Sequence, residues 1–202
     1  MNPIEQREAH YTRFLGPLDQ KVMHSTDIKP VHVDIYTFAP TSERDFYTLI
    51  TGGMSDVRQN IPDDWECAPR AEIMLYTKEP KGWMYNVLKG LAEMPSDDDT
   101  FLSYRHTIPN GQPMTAEPSL LTSFFMSPVF GERDGFTPLL LDEDAVDVLL
   151  LIPITEGERA LAVDQGSDAL LALFRLREFD PVIDEHRSCL VTHESSPRTK
   201  NS

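Results

Sequence analysis

Residues 70–94 read RAEIMLYTKEPKGWMYNVLKGLAEM, and a change of hydrophobic period inside this stretch decides the fold class. Arg70 to Thr77 (RAEIMLYT) reads as a strand. From Pro80 to Met94 the apolar residues Trp83, Val87, Leu88, Leu91 and Met94 fall at helical spacing, which predicts an amphipathic helix packed on a sheet. Pro95 to Asp99 is expected to end that helix in a loop. Upstream, Val31-His32-Val33-Asp34-Ile35-Tyr36 alternates apolar and polar residues, the pattern of a strand with two unlike faces, and Ala39-Pro40 stops it. Phe46 to Thr51 reads as another strand, closed by Gly52-Gly53. Asn60 to Pro69, with Pro62, Asp63, Asp64 and Pro69, is expected to be an exposed loop.

Downstream, Ile108 to Pro113 is turn material, while Ser119 to Met126 and Val146 to Ile154 read as more buried strands. Thr155 and Glu158 have the spacing of a capping box opening a short helix. Ser167 is expected to cap the last helix, with Leu170, Leu171 and Phe174 facing inward. At the other end Asn2 caps a first helix, with Pro3 at its first position and Glu5 at its third. Ile4, Tyr11, Phe14, Leu15, Leu18 and Val22 recur on roughly one face of it, and Gly16-Pro17 should kink or split it. The expected organisation is one domain over residues 1–192, with a helical segment 1–23, sheet and helices over 31–192, and a flexible polar tail 193–202. Strands and helices mix without regular βαβ alternation, so the fold class is α+β.

The chain has 202 residues, of which 40% are hydrophobic, so a single core needs no disulfide or metal staple. Eighteen Lys and Arg stand against 33 Asp and Glu, a net charge of −15. Such a field repels nucleic acid and anionic membrane and steers in a basic protein partner. The apolar run Ala145 to Ile154 is interrupted by Asp147 and is too short to span a membrane. MNPIEQREAH shows no basic segment followed by an apolar core, so no secretory signal is expected. Cys67 and Cys189 lack CxxC spacing and imply no zinc site; two buried thiols in a reducing cytoplasm is the expectation.

Enzyme motifs are absent or incomplete: no GxGxxG, no GxxxxGK[ST] and no HExxH occurs. Ser55, after a strand and a Gly-Gly turn, resembles a nucleophile elbow, and His32 and Asp34 share a strand face as an oriented base would. Gly53-Met54-Ser55-Asp56-Val57 lacks the second glycine of GxSxG, however. A polar sheet face with a turn serine bonding nearby backbone is the reading adopted. Asp97-Asp98-Asp99 and Asp142-Glu143-Asp144 are consecutive, unlike the alternating ligands of a calcium loop, and Asp184-Glu185-His186 reads as a surface histidine. No metal or cofactor is therefore expected. Between Pro95 and Leu170, fourteen acids face three bases, so this span holds eleven of the fifteen net negative charges. Phe124, Phe125 and Phe130 lie near those acids and are expected to be mostly core.

Several stretches together resemble the suppressor-of-fused (SUFU-like) family. They are Val31 to Tyr36, Tyr47 to Asp56 (YTLITGGMSD), Arg70 to Leu75, His106 to Gly111 (HTIPNG) and Leu150 to Glu158 (LLIPITEGE), colinear from about Val22 to Val191. The resemblance implies a mixed, largely antiparallel sheet flanked by helices, in a protein-binding domain without enzymatic activity. Animal members of the family sequester a transcription factor in Hedgehog signalling, gripping a peptide strand between two domains. This short chain is similar to the bacterial stand-alone members, which are associated with polymorphic toxin systems as immunity proteins, and it is expected to lack the second domain. His32, Asp34, Gly53, Ser55 and Asp56 match the family pattern, which implies structural roles in a strand face and a turn that needs small residues.

The leading expectation is a cytoplasmic immunity-type inhibitor that occludes a basic toxin domain through the acidic residues Asp97, Asp98, Asp99, Asp142, Glu143 and Asp144. The second is an adaptor that sequesters an endogenous peptide or protein by strand addition. The third is a hydrolase built on Ser55, His32 and Asp34.

Overall fold

The computed structural model describes residues 2–24, 31–115 and 118–191. The expected tail 193–202 and the domain boundary at 192 lie outside the described residues. Four helices and nine strands occur among those described, in the order α1 (Pro3–Leu15), β1 (Leu18–His24), β2 (Asp34–Phe38), β3 (Tyr47–Gly52), β4 (Arg70–Thr77), α2 (Gly82–Asp97), β5 (Thr107–Pro109), β6 (Leu121–Pro128), β7 (Leu139–Leu141), β8 (Asp144–Thr155), α3 (Glu156–Gln165), α4 (Ser167–Leu176) and β9 (Val182–Ile183).

The strands form one mixed sheet, ordered β1-β2-β3-β4-β8-β6-β5, with β7 on β8 and β9 on β4. Two antiparallel blocks meet at a central parallel pair. The first is the meander β1 to β4, and the second is β8 with β6, β5 and β7. Between them β4 and β8 run parallel, Glu72 lying opposite Val148 and Met74 opposite Leu150. A parallel neighbour needs a long crossover, and residues 78–143 supply it, carrying α2 across one face. The pairing of β4 with β8 ends at Met74 and Leu150, and β9 takes up parallel pairing with Tyr76 and Thr77.

Alternation along the central strands sorts the core into two layers. Met74 and Tyr76 of β4 and Val146, Val148, Leu150, Ile152 and Ile154 of β8 meet Tyr11 and Leu15 of α1, Ala162 of α3, and Leu170 and Phe174 of α4. On the opposite face Ala71, Ile73, Leu75, Leu149 and Leu151 meet Met84, Leu88, Leu91 and Ala92 of α2. Helices therefore cover both faces, which is why the central strands are largely apolar on both faces rather than alternating. No helix among the described residues is long and apolar enough to cross a membrane.

Several boundaries differ from the sequence reading. The first helix stops at Leu15, where Gly16 at φ 99° caps it, and residues 18–24 form the edge strand β1 instead of more helix. A glycine at positive φ followed by proline ends the helix outright rather than kinking it. Helix α2 continues through Pro95 to Asp97, because burial of the ring offsets one missing hydrogen bond. Ser167 opens α4 without capping it: its hydroxyl donates to the Arg105 carbonyl at 2.8 Å, and Gly166 holds the cap position. Ile108 and Pro109, expected as turn, belong to β5, which pairs with β6. Cys67 and Cys189 are half-buried rather than buried. Ile4 and Phe130 are exposed, while Phe124 and Phe125 are core.

The expected capping box of Thr155 with Glu158 forms, and the expected cap Asn2 proves to be half of a second box with Glu5. Glu158 has a second task. Fully buried, it accepts two bonds from the Arg187 guanidinium, both at 2.6 Å, and one from the Leu190 amide at 2.9 Å. This pins the end of the described chain to the start of α3. Burial pushes the Glu158 carboxyl up, but Arg187 and the amides more than offset it, so its pKa lies below the ordinary value. The stabilisation is complete above the usual glutamate pKa of about 4.3 and fades as pH falls through the lower folded value. Arg187→Ala strands a buried carboxylate and should cost about 3–5 kcal/mol at neutral pH. Urea unfolding should show that loss, and a shallower dependence on pH below about 5 in the variant than in the parent.

Candidate functional site

Glu72 is the one charged residue in the interior of β4, and alternation places it on the same face as Met74 and Tyr76, beneath α1. It is fully buried. Its Oε1 accepts from the Gly53 amide at 3.0 Å, the Ser55 amide at 3.1 Å and the Ser55 hydroxyl at 2.6 Å. Its Oε2 accepts from the Thr51 hydroxyl at 2.6 Å, whose oxygen in turn accepts from the Ile73 amide at 2.8 Å. The 3-10 turn Met54–Asp56 after β3 is thus wrapped around one carboxylate.

Arg7 of α1 closes this network from above. It is 2% exposed, with Nε 3.7 Å from Glu72 and Nη1 donating to Ser55 Oγ at 3.1 Å and to Asp56 Oδ1 at 2.5 Å. Burial works against the Arg7 charge, yet Glu72, with Tyr11 and Asp56 behind it, raises its pKa above the ordinary value. Tyr11, one turn on, donates to the Thr51 carbonyl at 3.0 Å. Gly53 sits at φ 114°, and a Cβ there would stand 1.9 Å from the His32 carbonyl oxygen. Only glycine allows that approach of the turn to residue 32.

His32, Asp34, Gly53, Ser55 and Asp56 are therefore neighbours, but they do not form a hydrolytic triad. The Ser55 hydroxyl is buried and donates to Glu72, which is a positioning bond inside the protein. His32 points the other way into solvent, 55% exposed, with Nε2 3.1 Å from Asp34 Oδ1. Arg7 and Glu72 escaped the functional reading of the sequence. The signal for Glu72 was a lone acid in an apolar strand, and that for Arg7 its place in a stripe with Tyr11 and Leu15, four residues apart.

The two acidic runs come to either side of one short segment, residues 57–60. Arg58 donates to both oxygens of Asp144 at 2.8 and 2.6 Å, and Asn60 donates to Asp99 at 3.1 Å. Asp97, Asp98, Asp99, Asp142 and Glu143 are exposed. Asp144 is different: Arg70 also donates to it at 2.7 Å while holding the Ser55 carbonyl at 2.7 Å. Those two arginines, Arg58 foremost, hold the Asp144 carboxyl below the usual carboxylate range. It is a structural link to the Ser55 turn more than a free surface charge.

Beside Asp99 lies a feature that periodicity does not reveal. Trp65, Phe101 and His106 form a three-way edge-to-face cluster with ring centroids 4.9–5.3 Å apart, Trp65 being 43% exposed. Burial lowers the His106 pKa below its ordinary value. The loop carrying Trp65 is held by Gln59, whose side chain donates to the Leu102 carbonyl at 3.1 Å and accepts from the Leu102 amide at 2.8 Å. A separate groove of about 650 Å³ runs past Arg13, Phe14, Arg44, Phe130, Arg133 and Phe179; in it Arg44 pairs with Glu132 and Arg133 with Glu43.

Glu72→Ala leaves Arg7 buried without its central counter-charge and should destabilise the protein by about 3–5 kcal/mol. Ser55→Ala removes one donor from a carboxylate that keeps three, and should cost about 1–3 kcal/mol. Urea denaturation of the two variants checks the ranking, and equal costs would show that Glu72 is not the hub.

No curated protein matches the chain in sequence. Among solved structures, a SUFU homologue from Neisseria gonorrhoeae superposes with a TM-score of 0.74 at 17% identity, covering 94% of this chain and 97% of that one. A chain of the Sufu–Fu complex gives 0.67 at 13% identity, with 94% and 92% covered. Drosophila Suppressor of Fused gives 0.60 at 12% identity, with 93% of this chain laid on 50% of that one. The family model of the suppressor of fused protein (SUFU) matches residues 29–188. With that match spanning most of its length, and with the mixed sheet described above, the chain belongs to the suppressor-of-fused family.

Proposed function

We propose that this protein is a non-enzymatic binding domain of the cytoplasm, an immunity-type inhibitor that neutralises a cognate toxin domain by covering it. The observation that carries the reading is the surface around residues 57–60. Exposed acids flank that segment on both sides, and the loop that follows it, tied down at several points, presents a partly exposed Trp65 packed on Phe101 and His106. Carboxylates at such a face raise the encounter rate with a basic partner, while an ordered Trp supplies apolar contact at small entropic cost. A basic substrate groove, as in a nuclease, would meet carboxylates where it normally meets phosphates. A relative of the same fold occurs in complex with a protein, in the Sufu–Fu complex, which supports protein binding as the mode of action.

One observation favours a second reading, sequestration of an endogenous peptide by strand addition. β1 and β5 end the strand order, so each presents an edge without a strand partner among the described residues.

Capture of partners from host extract at low and high salt, followed by kinetics with the purified partner, separates the two. The inhibitor reading expects a basic toxin domain released by salt. Asp98→Lys with Glu143→Lys should slow association about 10-fold and flatten its salt dependence. Trp65→Ala should raise the dissociation rate. Asp144 is left alone, because its loss would break the Arg58 and Arg70 links as well. A regulatory protein retained at high salt, with kinetics indifferent to both charge reversals, would favour strand addition instead.

A further inference from the structure

From the geometry of His24, His32 and Asp34 we infer a binding site for a divalent transition ion of the zinc class, at the outer edge of the sheet. The backbone builds this cluster. His24 is the last residue of β1 and is paired in register with Asp34, the first residue of β2. His32 lies two residues before Asp34, so extended backbone returns it to the same side. Asp34 Oδ1 then stands 2.9 Å from His24 Nδ1 and 3.1 Å from His32 Nε2, and one ligand atom from each residue lies within 4.8 Å of the other two.

The two contacts to Asp34 are of hydrogen-bonding length as they stand, and their lengths are also close to the spacing of ligand atoms around one ion. Ligands at about 2.0–2.1 Å from a common ion are about 3.0 Å apart at a right angle and about 3.4 Å apart in a tetrahedron. Small rotations of the side chains would bring all three atoms onto one ion. Two imidazoles and a carboxylate make a borderline donor set, which suits zinc, cobalt or nickel and disfavours magnesium and calcium, whose ligands are oxygens. The histidine side chains are 65% and 55% exposed and that of Asp34 is 18% exposed, so the remaining positions on the ion open to water. The protein's net charge of −15 also favours a cation. A bound ion would clip the last residue of the edge strand to β2 and to the segment that Gly53 abuts, independently of which partner the acidic face binds.

The test is equilibrium dialysis and calorimetric titration of the untagged full chain with zinc chloride, in the presence of millimolar magnesium. One equivalent of zinc should bind, and the thermal midpoint should rise with it, since the three ligands converge only in the folded chain. His24→Ala together with His32→Ala should lose that equivalent, weakening zinc binding by at least about 10-fold. His186→Ala should retain it. A second measurement needs no variant: substoichiometric cobalt(II) should broaden the imidazole resonances of His24 and His32 before those of His106 and His186. Failure of the parent protein to bind zinc, retention of the equivalent in the double variant, or broadening that begins at other histidines would overturn the assignment.

Discussion

A carboxylate in the middle of a sheet must be answered by donors, and the answer to Glu72 organises this half of the molecule. Its two oxygens take four hydrogen bonds from Thr51, Gly53 and Ser55, and its charge faces Arg7. Each partner comes from a different piece of chain: the end of β3, the turn after it, and the first helix. Arg7 fixes where α1 crosses the sheet, and Tyr11, one turn later, is consequently placed over the Thr51 carbonyl. The turn in its place lets Arg70 span from the Ser55 carbonyl to Asp144, which anchors the start of β8 next to β4. A buried charge network of this kind is weak evidence for net stability. It does specify register, because sliding β4 by one residue would put Glu72 into the apolar layer formed with α2.

The central elements were legible because burial on both faces leaves a strong trace. The run from Val148 to Ile154 is apolar on successive residues, as expected of a strand covered by helices on both sides, and the period change after Thr77 announced α2. Capping boxes were legible because they need particular side chains three residues apart. What failed were short pieces whose structure is decided by neighbours distant in sequence. Residues 18–24 carry apolar groups at Leu18 and Val22, which fit a continuing helix as well as a strand; pairing with β2 decides between them. The three-residue strand Thr107–Pro109 and the two-residue strand Val182–Ile183 have no period to read at all. Parallel pairing of β4 with β8 joins segments some seventy residues apart, and nothing local encodes it.

The polar turn was partly legible and its purpose was not. Gly53, Ser55 and Asp56 stand out in sequence because a glycine pair followed by small polar residues marks a turn. The same residues would suit a nucleophile elbow. The choice between them rests on the fate of one hydroxyl, and Glu72, seventeen residues away, takes it. His32 and Asp34 also stood out, as alternating polar positions on a strand. Their third member, His24, falls just past the expected helical segment 1–23 and carried no assignment, so the convergence of two imidazoles on one carboxylate oxygen came into view only with the β1–β2 register.

Charge and aromatic surface divide the work on the proposed binding face. The exposed acids lie where the backbone turns, at the end of α2 and between β7 and β8, and solvent screens them there. Charges of that kind accelerate encounter and contribute little to the lifetime of a complex. Lifetime must come from apolar contact that is ordered before the partner arrives. The loop from Val57 to Pro69 has no regular structure, yet it is tied at Arg58, Gln59 and Asn60, and its backbone closes on itself from the Gln59 amide to the Pro69 carbonyl at 2.9 Å. Trp65 is thereby presented against Phe101 and His106 in a fixed attitude. An irregular loop held this firmly loses little entropy when it is covered, and that is the physical ground for placing the contact there rather than on the acids alone.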